Sequence, residues 1–206
     1  MMFHGKINKI NLKKVLAAFC LAVVIEAGVM PAFSSRFVAL LPQTGRDESM
    51  LDYVHSILKE NRTGLGSIED LKLAETILVE SVTNKLDPLF VLALMKTEST
   101  FYNWSKSFGG AVGLMQILPA TGEELASELN LKWDGEGTLL NPYANVKMGV
   151  RYYSKLQRRY KDTETSLTAY NIGPGRVDSG VQDVSPVFAK KVLSNYRYFK
   201  ERADFY

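Results

Sequence analysis

From Met50 onward the apolar residues recur three or four positions apart, and no stretch alternates convincingly. This commits the body of the chain to packed helices. Leu51, Val54, Ile57 and Leu58 mark one side of a helix over Met50 to Lys59, which Gly64 and Gly66 bring to an end. A second helix starts at Ser67, with Asp70 three residues on in the manner of a capping box. It carries Leu71, Ala74, Ile77, Leu78 and Val82 at helical spacing. Asp87-Pro88 and Asn141-Pro142 each set a side-chain acceptor at an N-cap and a proline at the first helical position. The helix after Asp87 runs through Phe90, Val91, Leu94 and Met95 to Phe101; the one after Asn141 carries Val146, Met148, Val150, Tyr153 and Leu156. Pro119 and Thr121 lead into a helix ending near Leu131, and Ser166 to Ala169 begins a short one that stops at Gly173-Pro174-Gly175. Pro186 opens a last amphipathic helix with Phe188, Val192, Leu193 and Tyr196. The fold class is therefore mainly α, with room for no more than a minor β element.

Ahead of this body, Lys6, Lys9, Lys13 and Lys14 precede an apolar run from Val15 to Ile25 that resumes after Glu26 through Met30. A basic head followed by such a run is a secretory signal peptide. Read as far as Phe33, the segment also has the length of a membrane span, although Glu26 at mid-bilayer would cost roughly 2.5–3.5 kcal/mol. Residues 1–33 are expected to be an export helix, cleaved or kept as an inner-membrane anchor, and residues 34–66 a linker and short helical extension. Residues 67–206 form the remaining domain. The net charge of +3 sits almost wholly in this leader: removing its four lysines and Glu26 from totals of 25 basic and 22 acidic residues leaves 21 of each. A neutral body lacks the clustered basic residues of a nucleic-acid protein and suits an uncharged sugar. Cys20 is the single cysteine, so no intrachain disulfide forms.

Three features carry chemistry. Glu98 follows Val91, Leu94 and Met95 by seven, four and three residues and shares the face their helix buries. A carboxyl group there loses hydration and its pKa rises, which is what a general acid for glycosidic cleavage requires. The alternative is a buried glutamate paired with a cation, or one turned to solvent at the helix end. The second feature is the run from Ser107 to Gln116, whose glycines let a backbone approach a ligand. Gln116 both donates and accepts hydrogen bonds, and Met115 offers a deformable apolar surface. No lysine follows as a phosphate-binding loop would need, and a tight interhelical turn is the competing explanation. The third is Ala169 to Val177, where Tyr170 and Asn171 precede a Gly-Pro-Gly turn and are either cleft groups or core and C-cap.

Together these segments resemble the Slt-type lytic transglycosylases of glycoside hydrolase family 23, in the lysozyme superfamily. The resemblance rests on Glu98-Ser99, on Ser-x-x-Gly-Ala-x-Gly-Leu-Met-Gln-x-x-Pro-x-Thr from Ser107 to Thr121, on Asn-Pro-x-x-Asn-x-x-x-Gly-x-x-Tyr from Asn141 to Tyr152, and on Ala-Tyr-Asn-x-Gly-Pro-Gly-x-Val from Ala169. It covers roughly residues 68–200 and implies a lysozyme-like helical domain. It implies further that Glu98 is the single catalytic acid and base, and that Ser107 and Gln116 hydrogen-bond near the acid and the bound sugar. Met115 would line the cleft, Tyr170 would sit beside the carboxyl, and Asn171 would support that corner. Asn145 and Tyr152 are read as structural members of the motif. Tyr153 stands where the family usually has leucine, a change of packing.

The implied reaction cuts peptidoglycan between N-acetylmuramic acid and N-acetylglucosamine and leaves a 1,6-anhydro end. The expected partner is the glycan strand, acted on by a monomer in the cell envelope, with no nucleic acid involved. Neither metal nor other cofactor is expected, because His4 and His55 lie far from the motifs and no Cys/His ligand cluster exists. Two alternatives remain open at this level. A goose-type muramidase would need a second carboxylate to hold water, for which Asp134 and Glu136 are the candidates. A weakly active wall-binding subunit would serve a secretion or flagellar machine.

Overall fold

The computed structural model describes residues 45–180 and 185–204, so the leader assigned to residues 1–33 lies outside the described residues. Among the described residues the regular elements are helices: α1 (Gly45–Glu60), α2 (Ser67–Asn84), α3 (Pro88–Ser99), α4 (Pro119–Glu128), α5 (Glu136–Leu140), α6 (Pro142–Tyr160), α7 (Thr163–Ile172), α8 (Pro174–Asp178) and α9 (Val187–Ala203). Extended pairing is confined to two isolated bridges, Lys106 with Val112 and Val112 with Ile117.

The axis of the domain is α3, whose residues from Leu89 to Met95 are all buried. A helix that is apolar all round must be enclosed on all sides. Packing of α9, α2 and α1 against it does this. Its start is fixed as the sequence indicates, with the Asp87 carboxylate accepting from the Leu89 N–H at 2.8 Å and Pro88 in the first turn. The same carboxylate accepts from the Tyr196 hydroxyl of α9 at 2.6 Å. The helix stops at Ser99, before the expected Phe101, because Thr100 and Phe101 both adopt left-handed φ values of 53° and 64°. Two such non-glycine residues in succession are strained. They are held by the complete burial of Phe101 against Phe199.

The helix of the 34–66 segment begins at Gly45 and belongs to the same compact unit as the rest, Thr44–Tyr206. Tyr53, Val54, Ile57 and Leu58 are buried, and the Tyr53 hydroxyl donates to the Phe199 carbonyl at 2.9 Å. The capping box expected at Ser67 does not form. Gly66 occupies the N-cap, and Asp70 turns inward to accept from the Thr63 hydroxyl at 2.6 Å. The buried face of α2 is correspondingly shifted: Asp70, Leu73, Ala74, Ile77, Ser81 and Asn84 face inward, and Val82 is 60% exposed. Buried polar groups account for this, since the Asn84 carbonyl accepts from Ser154 of α6 at 3.2 Å. Helix α7 starts at Thr163, ahead of Ser166, because the Asp162 carboxylate caps the Thr165 N–H at 2.8 Å. The Gly173-Pro174-Gly175 turn continues into the short α8.

Asn145, fully buried on α6, ties that helix to the glycine-rich loop. Its carboxamide oxygen accepts from the Met115 N–H at 2.7 Å, and its NH2 donates to the Val112 and Leu139 carbonyls at 2.9 Å each. Gly113, at φ +84°, packs so closely over this amide that a Cβ would overlap it. From the other side Ser99 donates to the Leu114 carbonyl at 2.8 Å. The loop is thus fastened to the end of α3 and to the middle of α6, which brings the three motif segments together.

Candidate active site

The junction of these segments encloses a cleft of about 460 Å³. Glu98, in the last turn of α3, forms part of its wall, with Ser107, Gly109 and Gln116 from the loop and Tyr170 and Asn171 from α7. Apolar surface comes from Ile117, Leu118, Ile172 and Pro174. Among the described residues lining the cleft, Glu98 is the only carboxylate. Asp134 and Glu136 do not line it, and Glu136 is paired with Lys106 at 2.6 Å on the surface. No group of His, Cys, Asp and Glu among the described residues is arranged to hold a metal ion.

Glu98 is half-buried, and loss of hydration pushes its carboxyl group up to about 8, against the opposing pull of Lys191 on α9. The position of α9 here is fixed by Asn195, which donates to the hydroxyl of Thr97 at 2.9 Å. A carboxylic acid with that pKa is protonated by roughly ten to one at pH 7.

Tyr170 is buried, and its hydroxyl donates to the Met115 carbonyl at 2.8 Å. Burial first, and the Glu98 charge second, push its phenol well above its ordinary value, so it remains neutral. With its proton engaged by Met115, its oxygen keeps only acceptor capacity. Gln116 sits in a left-handed conformation, φ 47°, and its NH2 donates to the Gly113 and Ser105 carbonyls at 2.8 and 3.1 Å. The carboxamide oxygen is what it retains for a ligand. Ser107 accepts from the Ala111 N–H at 3.0 Å, leaving its hydroxyl proton available. Asn171 is exposed at the lip.

Met115 departs from expectation. Its side chain is fully buried against Gly149 and does not line the cleft; its backbone carbonyl accepts from Tyr170, which does. A glycine on α6 opens a socket, and the thioether fills it. Two residues were overlooked. Tyr152, read as structural, lines the cleft with its ring 5.3 Å from that of Tyr170. It shares a face of α6 with Gly149, the helical neighbour of the loop, and that spacing was the available signal. Lys191 carried no local signal, since only the crossing of α9 over α3 brings it near Glu98.

Known proteins share the fold and parts of the sequence. The 70 kDa soluble lytic transglycosylase of Escherichia coli has a similar fold, with a TM-score of 0.59 at 20% identity over 77% of this chain and 31% of that one. So does lytic transglycosylase Slt of Pseudomonas aeruginosa, with a TM-score of 0.56 at 23% identity over 63% of this chain and 24% of that one. Membrane-bound lytic murein transglycosylase C of Histophilus somni is 33% identical over 102 residues, covering 45% of this chain and 28% of that protein. The transglycosylase of Enterobacteria phage PRD1 is 32% identical over 121 residues, 59% of this chain and 42% of that protein. The chain thus spans less than half the length of the curated relatives it matches. The family described as "Transglycosylase SLT domain" matches residues 75–189, a range that takes in the cleft-lining segments of α3, the loop, α6 and α7, and the chain belongs to that family.

Proposed function

We propose that this protein is a peptidoglycan lytic transglycosylase in which Glu98 serves as both acid and base. The observation that carries the reading is the one carboxyl group among the described residues of the cleft, held protonated near neutral pH by burial and set near the neutral phenol of Tyr170. Neutral Glu98 protonates the oxygen linking N-acetylmuramic acid to N-acetylglucosamine, and the C1–O bond breaks. The 2-acetamido group of the muramoyl unit stabilises the charge that develops at C1. The resulting Glu98 carboxylate takes the proton of the C6 hydroxyl of the same sugar, whose oxygen bonds to C1. The acid is regenerated, a 1,6-anhydro end forms and no water is consumed. An intramolecular hydroxyl has a large proximity advantage over solvent.

Gln116 and Ser107 orient the sugar through the carboxamide oxygen and hydroxyl proton left free by their contacts within the loop. Asn171 contributes at the lip, and the Met115 carbonyl holds Tyr170 in place. Among the described residues lining the cleft Glu98 is the one carboxylate, which favours internal transfer over the water-activating scheme of a muramidase. We further propose export to the cell envelope by residues 1–33, the wall as substrate for residues 67–206, and a monomer working alone or beside an envelope machine. Among the described residues no helix is long and apolar enough to cross a membrane.

The deciding experiment is mass spectrometry of sacculi digested by the wild type and by Glu98→Gln. Products lighter than hydrolytic ones by one water, and absent from the variant digest, are expected. Hydrated products, or undiminished lysis by the variant, would overturn the assignment.

A further inference from the structure

The two tyrosines of the cleft differ in how their hydroxyls are engaged. The hydroxyl proton of Tyr170 is engaged by the Met115 carbonyl at 2.8 Å. The hydroxyl of Tyr152 has no hydrogen-bond partner among the described residues, although Tyr152 is half-buried and lines the cleft.

Its neighbours on α6 make this unusual. Arg151 and Lys155 both bind Glu128, and Tyr153 donates to Gln157 at 2.8 Å. Ser154 donates to the Asn84 carbonyl at 3.2 Å and accepts from Arg158 at 2.8 Å. Arg159 and Tyr160 both reach Asp178. From Arg151 to Tyr160, every other polar side chain has a protein partner. A phenol is both donor and acceptor, and one that no protein group engages at a cleft wall is available to a ligand. Its ring is held tilted at 49° against Tyr170, and the ion pairs of Arg151 and Lys155 fasten this stretch of α6 to α4. The free hydroxyl is therefore carried on a fixed support.

We propose that Tyr152 is a substrate-binding residue, its hydroxyl donating a hydrogen bond to an N-acetylated sugar bound in the cleft. This rests on the reading of the cleft as a glycan site. Tyr170 then serves as the acceptor near Glu98, and Tyr152, packed against it, as the donor. Burial raises the Tyr152 phenol above its ordinary value, so it keeps its proton throughout the neutral range.

The test uses the full chain with Tyr152→Phe, which retains the ring and its contact with Tyr170, and Tyr152→Leu, which removes both. Affinity for the β-1,4-linked tetramer of N-acetylglucosamine is measured by calorimetry, and KM and kcat are measured on solubilised glycan strands. Tyr152→Phe is expected to weaken affinity and raise KM roughly three- to tenfold, with kcat within about twofold of wild type. Tyr152→Leu is expected to lose more in both readouts. Wild-type affinity and KM in Tyr152→Phe would overturn the assignment of Tyr152 while leaving the proposed function standing. A wild-type protein that neither binds the tetramer nor cuts strands would overturn both.

Discussion

The hydroxyl of Tyr170 reaches 2.8 Å to the backbone carbonyl of Met115, across 55 residues of sequence, and joins α7 to the glycine-rich loop directly behind Glu98. This contact decides which way the phenol proton points. Tyr170→Phe is expected to leave the Met115 carbonyl unpaired in a buried setting, at a cost of about 1–3 kcal/mol. Urea denaturation measures that loss. Turnover on sacculi is expected to fall as well, because the acceptor beside the acid is gone; unchanged stability would refute the contact.

Glu98 ties stability to pH, and under its proposed role it ties activity to pH as well. The folded protein holds this proton up to about pH 8, whereas an ordinary glutamate releases it near 4.5. Between those values the folded state binds more protons than the unfolded state, so stability falls as pH rises across that window. Glu98→Gln carries no such proton. The variant is expected to gain on the wild type from pH 5 to pH 8, by an amount on the order of a few kcal/mol. Urea melts of both proteins at pH 5, 6.5 and 8 check this, and parallel curves would contradict a raised pKa. Wild-type activity is expected to decline as pH passes through about 8, where the acid form is lost.

Gly149 and Met115 form a socket and its plug. A Cβ at position 149 would lie 2.5 Å from Met115 Cβ and 2.7 Å from its Cγ. Gly149→Ala improves helix propensity by about 1 kcal/mol, but overpacking is expected to outweigh this with a net loss of roughly 1–3 kcal/mol. Met115→Ala alone leaves a cavity and costs about 2–5 kcal/mol. The double variant is expected to be more stable than the sum of the two losses implies, as read from a four-protein denaturation cycle. Strict additivity would show that the two positions do not touch.

Asn145 makes three hydrogen bonds from a fully buried site. Asn145→Ala is expected to cost about 3 kcal/mol or more, since several buried backbone groups lose their partner together. Glu136→Ala serves as the contrast. It breaks an exposed pair with Lys106 and is expected to change stability by less than about 1 kcal/mol and activity hardly at all. A large activity loss in that variant would reopen the case for a second catalytic carboxylate.

What the sequence disclosed follows the range of the forces involved. Asp87 and Asn141 cap their helices through neighbouring N–H groups, so two or three residues sufficed to place both boundaries. Glu98 was legible because helical spacing set a carboxyl group on an apolar face. The buried side of α2 was misplaced where Asp70, Ser81 and Asn84 are internal, because burial of polar residues depends on distant partners. Met115, expected to line the cleft, instead fills the socket at Gly149 and holds Tyr170 through its carbonyl, an outcome set by the backbone path between Gly113 and Gln116. Tyr152 and Tyr170 are the same residue type, and their different burial and the bond of Tyr170 to Met115 depend on tertiary contacts that no local pattern shows.

Gly109 lines the cleft, yet a Cβ placed on it would meet nothing nearer than the Ser107 hydroxyl at 3.8 Å. Gly113 and Gly149, by contrast, are interlocked with Asn145 and Met115 and admit almost no added volume. New bulk can therefore enter this groove from its loop side without disturbing the acid, and descendants of this protein that come to favour differently decorated strands would be expected to carry their novelty at position 109.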